Sequence, residues 1–138
     1  MALKPREVPK VTQAQLQKLA LAAWAVREHA RVIGNTKVGC AVLASDKRVF
    51  VGCNVEHRFR CHDVHAEVNA ITSMVSAGSK SLLALVIAAK REHFTPCGGC
   101  MDWIMQFGWE QTIIAFQGRR GGPLHCYSAK ELMPYYPR

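Results

Sequence analysis

Two short stretches decide the fold of this chain: H-A-E at residues 65–67 and P-C-G-G-C at residues 96–100. In the second stretch, cysteines at i and i+3 open a predicted helix, so both side chains lie on one side of it. The partial positive charge of a helix start favours thiolates there. Two thiolates suit Zn²⁺, which takes four protein ligands in structural sites and three plus water in catalytic ones. Alone, the pair is also compatible with redox chemistry or a structural zinc site.

The first stretch favours a catalytic metal centre. If His65 begins its own helix, its imidazole can project towards Cys97 and Cys100. The helix, parallel strand and loops between the motifs would bring both helix starts to one edge of the sheet. These three ligands would hold one Zn²⁺ per chain and leave its fourth position open for water. Glu67 is then placed to take a proton from that water, and H-x-E…P-C-x-x-C is the signature of zinc deaminases.

The other cysteines and a neighbouring histidine are weaker ligand candidates. Cys61 and His62 precede the predicted helix and are out of frame with the H-A-E motif. Cys40 and Cys53 lie in apolar, strand-like runs that are typical of buried thiols, and no role is assigned to Cys126. The chain is not a tiny secreted scaffold, so we do not expect a disulfide framework.

The pattern outward from these motifs predicts an α/β fold. Thr12 is a good N-cap for an amphipathic helix, and an apolar run after the H-A-E helix is typical of a strand buried on both sides. The predicted elements are a helix at 12–31, hairpin strands at 38–44 and 48–54, a helix at 65–78, a strand at 82–89, a helix at 96–107, a strand at 112–117, and a last short strand and helical turn near 128–133. In the helix at 65–78, we expect Val68, Ile71, Thr72 and Val75 to share one face. This order indicates a mixed sandwich around one sheet.

Composition limits the possible functions. A chain of 138 residues suits one core but not comfortably two, so we expect a single domain over residues 1–138 with a flexible arm at 1–11. No apolar run approaches the roughly 20 residues of a membrane span, and residues 1–10 lack the apolar part of a secretory signal. We therefore expect a cytoplasmic protein with no membrane partner. The net charge of +8 is scattered, so nucleic-acid binding is permitted but not favoured.

Together the motifs resemble the cytidine deaminase family in its small, single-domain form, which is related to the blasticidin S deaminases. The resemblance extends from about Leu16 to Tyr135. It includes V-G-C-N-V-E at 51–56, H-A-E at 65–67, T-P-C-G-G-C at 95–100 and K-E-L-M-P at 130–134, in the family's order. The resemblance implies an α/β/α sandwich around one mixed five-stranded sheet, and a homotetramer whose sites borrow residues across interfaces.

The resemblance also implies hydrolytic deamination of cytidine or deoxycytidine, as in pyrimidine salvage. Zn²⁺ would activate water, and Glu67 would relay its proton to the ring and the leaving ammonia. Asn54 and Glu56 would contact the sugar hydroxyls, with Ala66 and Thr95 near the base. Two simpler interpretations stay open, since Asn54 is also typical of a turn and Glu56 can pair with Arg58 or Arg60.

Three features depart from the family pattern. Small members commonly have Cys at the position of His65 and Arg at that of Val68. The changes are coupled, because three thiolates leave a net charge of −1 on the zinc site and two thiolates leave none. An aromatic residue that stacks on the base is absent near Thr36, and Phe59, Trp103 or a partner's C-terminal Tyr are candidates to replace it. The alternatives are therefore deamination of a modified cytosine nucleoside or nucleoside antibiotic, or of a polynucleotide or another nucleobase.

Overall fold

The computed structural model describes residues 10–137, so most of the arm expected at 1–11 lies outside the described residues. The helices and strands are, in chain order, α1 Gln13–Arg27, β1 Gly39–Ala44, β2 Val49–Cys53, α2 Ala66–Ser76, β3 Leu82–Ala88, α3 Gly98–Phe107, β4 Ile113–Gln117, β5 Leu124–Ser128 and α4 Ala129–Leu132. A 3-10 turn, Arg60–His62, precedes α2. Within the described residues, no helix is long and apolar enough to cross a membrane.

The strands form one mixed five-stranded sheet in the order β2-β1-β3-β4-β5. β3 and β4 run parallel, with Leu85 opposite Ile114, and the other neighbouring pairs are antiparallel. A parallel pair needs a crossover connection, and α3 provides it. The crossover places the start of α3 beyond the carboxyl end of β3, at the sheet edge where the sequence predicts the site.

Helices cover both faces of the sheet, which confirms the predicted α/β/α sandwich. On one face, Trp24 and Leu19 of α1 pack against alternate residues of β1, β3 and β4. On the other, Ile71 of α2 and Ile104 of α3 pack against the intervening residues of the same strands. All seven residues of β3 are buried, as expected for a strand covered on both sides.

The first helix begins as predicted but ends earlier than expected. The Thr12 side chain accepts from the Gln15 backbone and the Gln15 side chain accepts from the Thr12 backbone, which is a capping box. The helix ends at Arg27, not near Arg31. Arg31 instead pairs with the chain after β2, where its backbone N–H donates to the Asn54 carbonyl at 3.1 Å. This pairing competes with helix continuation and determines where the chain leaves α1.

The buried face of α2 differs from the predicted one. Its buried residues are Ala66, Glu67, Ala70, Ile71 and Met74, whereas the prediction placed Val68, Ile71, Thr72 and Val75 together. Val75 is 45% exposed. The last strand also lies earlier than predicted, ending at Ser128 where the helical turn begins. The burial of Ala66 and Glu67 means that the first residues of α2 face the protein interior.

Glycine allows α2 to lie very close to β2. A Cβ at Gly52 would stand 2.3 Å from the Ala70 nitrogen and 2.8 Å from the Ala66 oxygen. Only a residue without a side chain permits this approach. The contact fixes the position of α2, and therefore of the side chains at its start, against the sheet.

Candidate metal centre and catalytic cavity

The three predicted ligands meet at the starts of two helices. His65 is the N-cap of α2 and Cys97 is the N-cap of α3, while Cys100 lies in the first turn of α3. The His65 Nδ1 atom is 3.3 Å from Cys100 Sγ and 3.5 Å from Cys97 Sγ. The candidate ligand atoms all lie within 4.8 Å of one another, the only such group of three found among residues 10–137.

The chemistry of this donor set fits zinc. One imidazole nitrogen and two sulfurs are ligands that Zn²⁺ prefers, and three protein ligands are typical of a catalytic rather than a structural site. Burial, followed by the negative charges of Glu67 and Cys97, raises the pKa of the Cys100 thiol. The raised pKa opposes the thiolate form that a metal ligand needs. A bound divalent cation offsets this effect because it stabilises thiolates directly. The chain is therefore built to hold zinc through His65, Cys97 and Cys100.

Glu67 lies beside the ligands and away from bulk water. Glu67 lies in the first turn of α2 and is only 3% exposed. Its carboxylate interacts with the Cys100 thiol. Burial raises the pKa of this carboxyl, partly offset by hydrogen bonds and by the charge of His65. A buried carboxylate next to metal ligands is typical of a group that exchanges protons with substrate.

A cavity of about 400 Å³ opens in front of the metal site. This volume lies within the range of small-molecule sites. The cavity is lined by all the predicted substrate contacts, Asn54, Glu56, Ala66 and Thr95, and by the ligands His65 and Cys97 and by Glu67. The structure therefore brings the predicted substrate contacts, two of the three ligands and Glu67 to a single cavity.

Asn54 holds the wall of this cavity as well as lining it. Its Oδ1 accepts from the Val38 backbone at 2.8 Å, and its Nδ2 donates to the Thr36 carbonyl at 2.9 Å. The residue is 8% exposed. The side chain of Asn54 therefore has a structural role in the backbone, as one of the two interpretations of the sequence allowed. Its amide fixes the segment that leads into β1.

Glu56 also holds a loop. Its Oε1 accepts from the backbone nitrogens of Ile33 and Gly34 at 2.7 and 2.8 Å, and its Oε2 lies 3.4 Å from Arg60. The two backbone donors are the main reason why the pKa of Glu56 is lowered. Of the two pairings considered, the Arg60 one is found. The carboxylate therefore lines the cavity as an anion, with Oε1 held by the loop and Oε2 paired with Arg60.

Two cavity residues, Arg91 and Phe94, are not predicted from the sequence. Both lie between β3 and α3 and line the cavity. A signal for them existed, since residues that follow the carboxyl end of a parallel strand commonly form ligand sites. Arg60 and Asp63, which form an ion pair at 2.8 Å, line the cavity as well.

Two of the three predicted replacements for the missing aromatic residue, Phe59 and Trp103, do not line this cavity. Phe59 is 55% exposed and packs near His57 and His62. Trp103 lines a second cavity of about 280 Å³ that borders the same three ligands. It stacks on Phe107 with ring centres 5.7 Å apart. Within one described chain, neither supplies a surface for the substrate base.

The remaining cysteines are unpaired. Cys40 and Cys53 are buried as predicted, and Cys61 and Cys126 are exposed. His62 lies in the 3-10 turn, with its ring 5.0 Å from that of His57. Cys61 and His62 are not members of the metal-binding group found in the described residues.

Comparison with known proteins gives a consistent result. The model of the cytidine and deoxycytidylate deaminase zinc-binding region matches residues 13–116. A probable cytidine deaminase of Dictyostelium discoideum is 34% identical over 101 residues, which cover 71% of this chain and 69% of that protein. A cytidine deaminase of Sporosarcina psychrophila is 35% identical over 94 residues, covering 67% and 69%.

Solved structures agree with the sequence comparisons. The crystal structure of a cytidine deaminase from Burkholderia pseudomallei superposes with a TM-score of 0.81 at 29% identity. The match covers 91% of this chain and 98% of that one. The chain is therefore similar to these enzymes over its metal site and over the full sandwich.

Proposed function

The chain belongs to the cytidine and deoxycytidylate deaminase family, and we propose that it hydrolyses cytidine or deoxycytidine to the uracil nucleoside and ammonia. The observation that carries this proposal is the position of Glu67. Its buried carboxylate lies beside the three candidate zinc ligands and lines a cavity of a suitable size for one nucleoside. A metal, an acid/base and a substrate cavity are the parts that hydrolytic deamination needs.

His65, Cys97 and Cys100 hold the zinc, which when bound supplies the Lewis acidity that makes water a nucleophile near neutral pH. Glu67 accepts the first proton of the attacking water and delivers it to the ring nitrogen. It then carries the second proton, from the hydroxyl added to the ring, to the amine, which leaves as ammonia while the ring carbonyl forms. Its burial keeps bulk water from the carboxylate, so that protons move between Glu67 and the groups inside the cavity.

Asn54 and Glu56 bind the sugar hydroxyls, and Ala66 and Thr95 border the base. Each polar side chain has bonding capacity left for a ligand: Nδ2 of Asn54 carries a second N–H, and each oxygen of a carboxylate has two lone pairs. The loop contacts of both side chains support this role, because side chains fixed in advance lose less entropy when the sugar binds.

The charge of the metal site is consistent with its surroundings. One neutral imidazole and two thiolates balance the charge of Zn²⁺, so the site needs no cation nearby. Val68, which lines the second cavity beside the ligands, occupies the place where a site of three thiolates would benefit from Arg. His65 and Val68 therefore form a matched pair.

We also propose a homotetramer that acts in the cytoplasm in pyrimidine salvage. The exposed side chain of Trp103 in the second cavity supports association, since it is 37% exposed next to the metal ligands. The six unpaired cysteines support a reducing compartment.

Ammonia release from cytidine, deoxycytidine, free cytosine, guanine and blasticidin S tests the proposed substrate class. We expect turnover of cytidine or deoxycytidine by protein that carries about one zinc per chain. Turnover confined to blasticidin S would contradict the proposal. So would a lack of turnover combined with strongly salt-dependent binding to tRNA or single-stranded DNA.

A further inference from the structure

The Arg91 guanidinium lies over the Phe94 ring, and the two form a layered π surface in the wall of the substrate cavity. The guanidinium carbon of Arg91 lies 5.8 Å from the centre of the Phe94 ring, which is within the range of a cation–π contact. Both residues line the cavity. Neither belongs to the motifs that hold the metal or the proton-transfer group.

Contacts on three sides hold this surface in place. The Phe94 ring stacks on the buried ring of Phe116 in β4, with centres 5.8 Å apart and planes 29° apart. Arg91 Nη2 donates to Thr36 Oγ1 at 3.0 Å. The backbone of Arg91 lies against Gly118, where a Cβ would stand 2.2 Å from the Arg91 oxygen. The surface therefore has a fixed position relative to the sheet.

The rest of the cavity wall offers little that suits a flat base. Among the described lining residues, the only aromatic side chains are Phe94 and the metal ligand His65. The other arginine, Arg60, bonds to Asp63 at 2.8 Å. Aromatic rings and guanidinium planes are the groups on which proteins stack bases.

We propose that the substrate base stacks on the Arg91 guanidinium, which the Phe94 ring supports from behind and Thr36 holds in position. This inference rests on the proposed function, since it takes a nucleoside as the ligand. Thr36 lies where the motif pattern lacks its aromatic residue. Its hydrogen bond to Arg91 positions the group that takes over the stacking.

Calorimetry of nucleoside binding to the Glu67→Gln variant measures the stacking directly, because we expect this variant to turn the nucleoside over too slowly to disturb the titration. Arg91→Lys keeps the charge but removes the plane, and Phe94→Leu keeps an apolar side chain but removes the ring. We expect each change to weaken cytidine binding about fivefold to tenfold. In the active enzyme each should raise KM more than it lowers kcat, with zinc content unchanged.

Arg58→Lys is a matched control. The Arg58 guanidinium carbon lies 4.8 Å from the centre of the Phe59 ring, but neither residue lines the cavity. The same exchange should therefore leave cytidine binding unchanged. Thr36→Val, which removes the hydroxyl that holds Arg91, should weaken binding in the same direction as Arg91→Lys but less.

Cytidine binding at full strength by Arg91→Lys would overturn the inference. A loss with cytidine monophosphate but not with cytidine would also overturn it, because Arg91 would then contact a phosphate. If the unsubstituted protein neither binds nor turns over any cytosine nucleoside, both the inference and the proposed function fail. This outcome is distinct from failure of the inference alone, because it is seen in the unsubstituted protein before Arg91 is changed.

Discussion

Replacing Gly52 by alanine tests how far the metal site depends on the packing of α2 against β2. The added Cβ would stand 2.3 Å from the Ala70 nitrogen and 2.8 Å from the Ala66 oxygen. Ordinary contacts between heavy atoms begin at about 3.5 Å, so relief requires a shift of roughly 1 Å. Both contacted atoms belong to the backbone and have no rotamer to change, so the shift must involve the helix itself.

A shift of α2 displaces His65 and Glu67 relative to the cysteines of α3. Overpacking of this kind costs about 1–3 kcal/mol of stability, and a misplacement of about 1 Å in a catalytic site can cost roughly 100-fold in rate. We expect Gly52→Ala to have a lower urea midpoint, less zinc per chain and turnover reduced by at least about tenfold. Urea unfolding, metal analysis and ammonia release measure the three effects.

Gly98→Ala is the matched control for this substitution. Gly98 begins α3 next to Cys97, but nothing lies within 4 Å of a Cβ added there. We expect this variant to keep the zinc content, stability and turnover of the unsubstituted protein. If Gly52→Ala behaved in the same way, the packing of α2 would not determine the geometry of the metal site.

Three further substitutions test separate parts of the site. His65→Cys should keep zinc but lower turnover, because a third thiolate leaves the site with a net negative charge beside Glu67, and adding Val68→Arg should restore part of the loss; turnover unaffected by either change would refute the coupling. Asn54→Ala should lower the free energy of unfolding by about 1–3 kcal/mol, because it leaves the buried Val38 N–H without its acceptor. It should also raise KM, and an unchanged urea midpoint would contradict this prediction. Trp103→Asp should shift the protein from tetramer to smaller species in light scattering at unchanged zinc content, whereas an intact tetramer would exclude Trp103 from the interface.

The metal-binding residues could be predicted because the chemistry depends on short spacings. Cys97 and Cys100 lie three residues apart at a helix start, and Glu67 follows His65 by two. Such spacings fix direction on a helix before any tertiary contact is known. The two halves of the site then needed only the strand–helix order to bring them to one sheet edge, as observed.

The buried face of α2 could not be predicted from hydrophobic periodicity. Glu67 is buried although it is charged, and Val75 is exposed although it is apolar. A carboxylate is buried at this position because it lies beside metal ligands, and functional sites are where local sequence rules commonly fail. The pattern of apolar residues therefore indicated the helix but not its orientation.

The place of Arg91 and Phe94 after a buried strand indicated a ligand site, but their individual roles could not be predicted because they depend on tertiary contacts. Arg91 meets Thr36 across 55 positions of sequence, and Phe94 meets Phe116 on another strand. No local spacing encodes either contact. The end of α1 has a similar cause, because Arg31 pairs with the chain after β2.

Glu67→Gln tests the proton-transfer role most directly, because it removes the carboxylate and keeps the shape of the side chain. We expect about one zinc per chain, retained cytidine binding, and turnover lower by roughly 100-fold to 10,000-fold. Glu110→Gln, an exchange at an exposed glutamate near Lys130, should leave turnover unchanged. Zinc-loaded Glu67→Gln with full turnover would contradict the proposed mechanism.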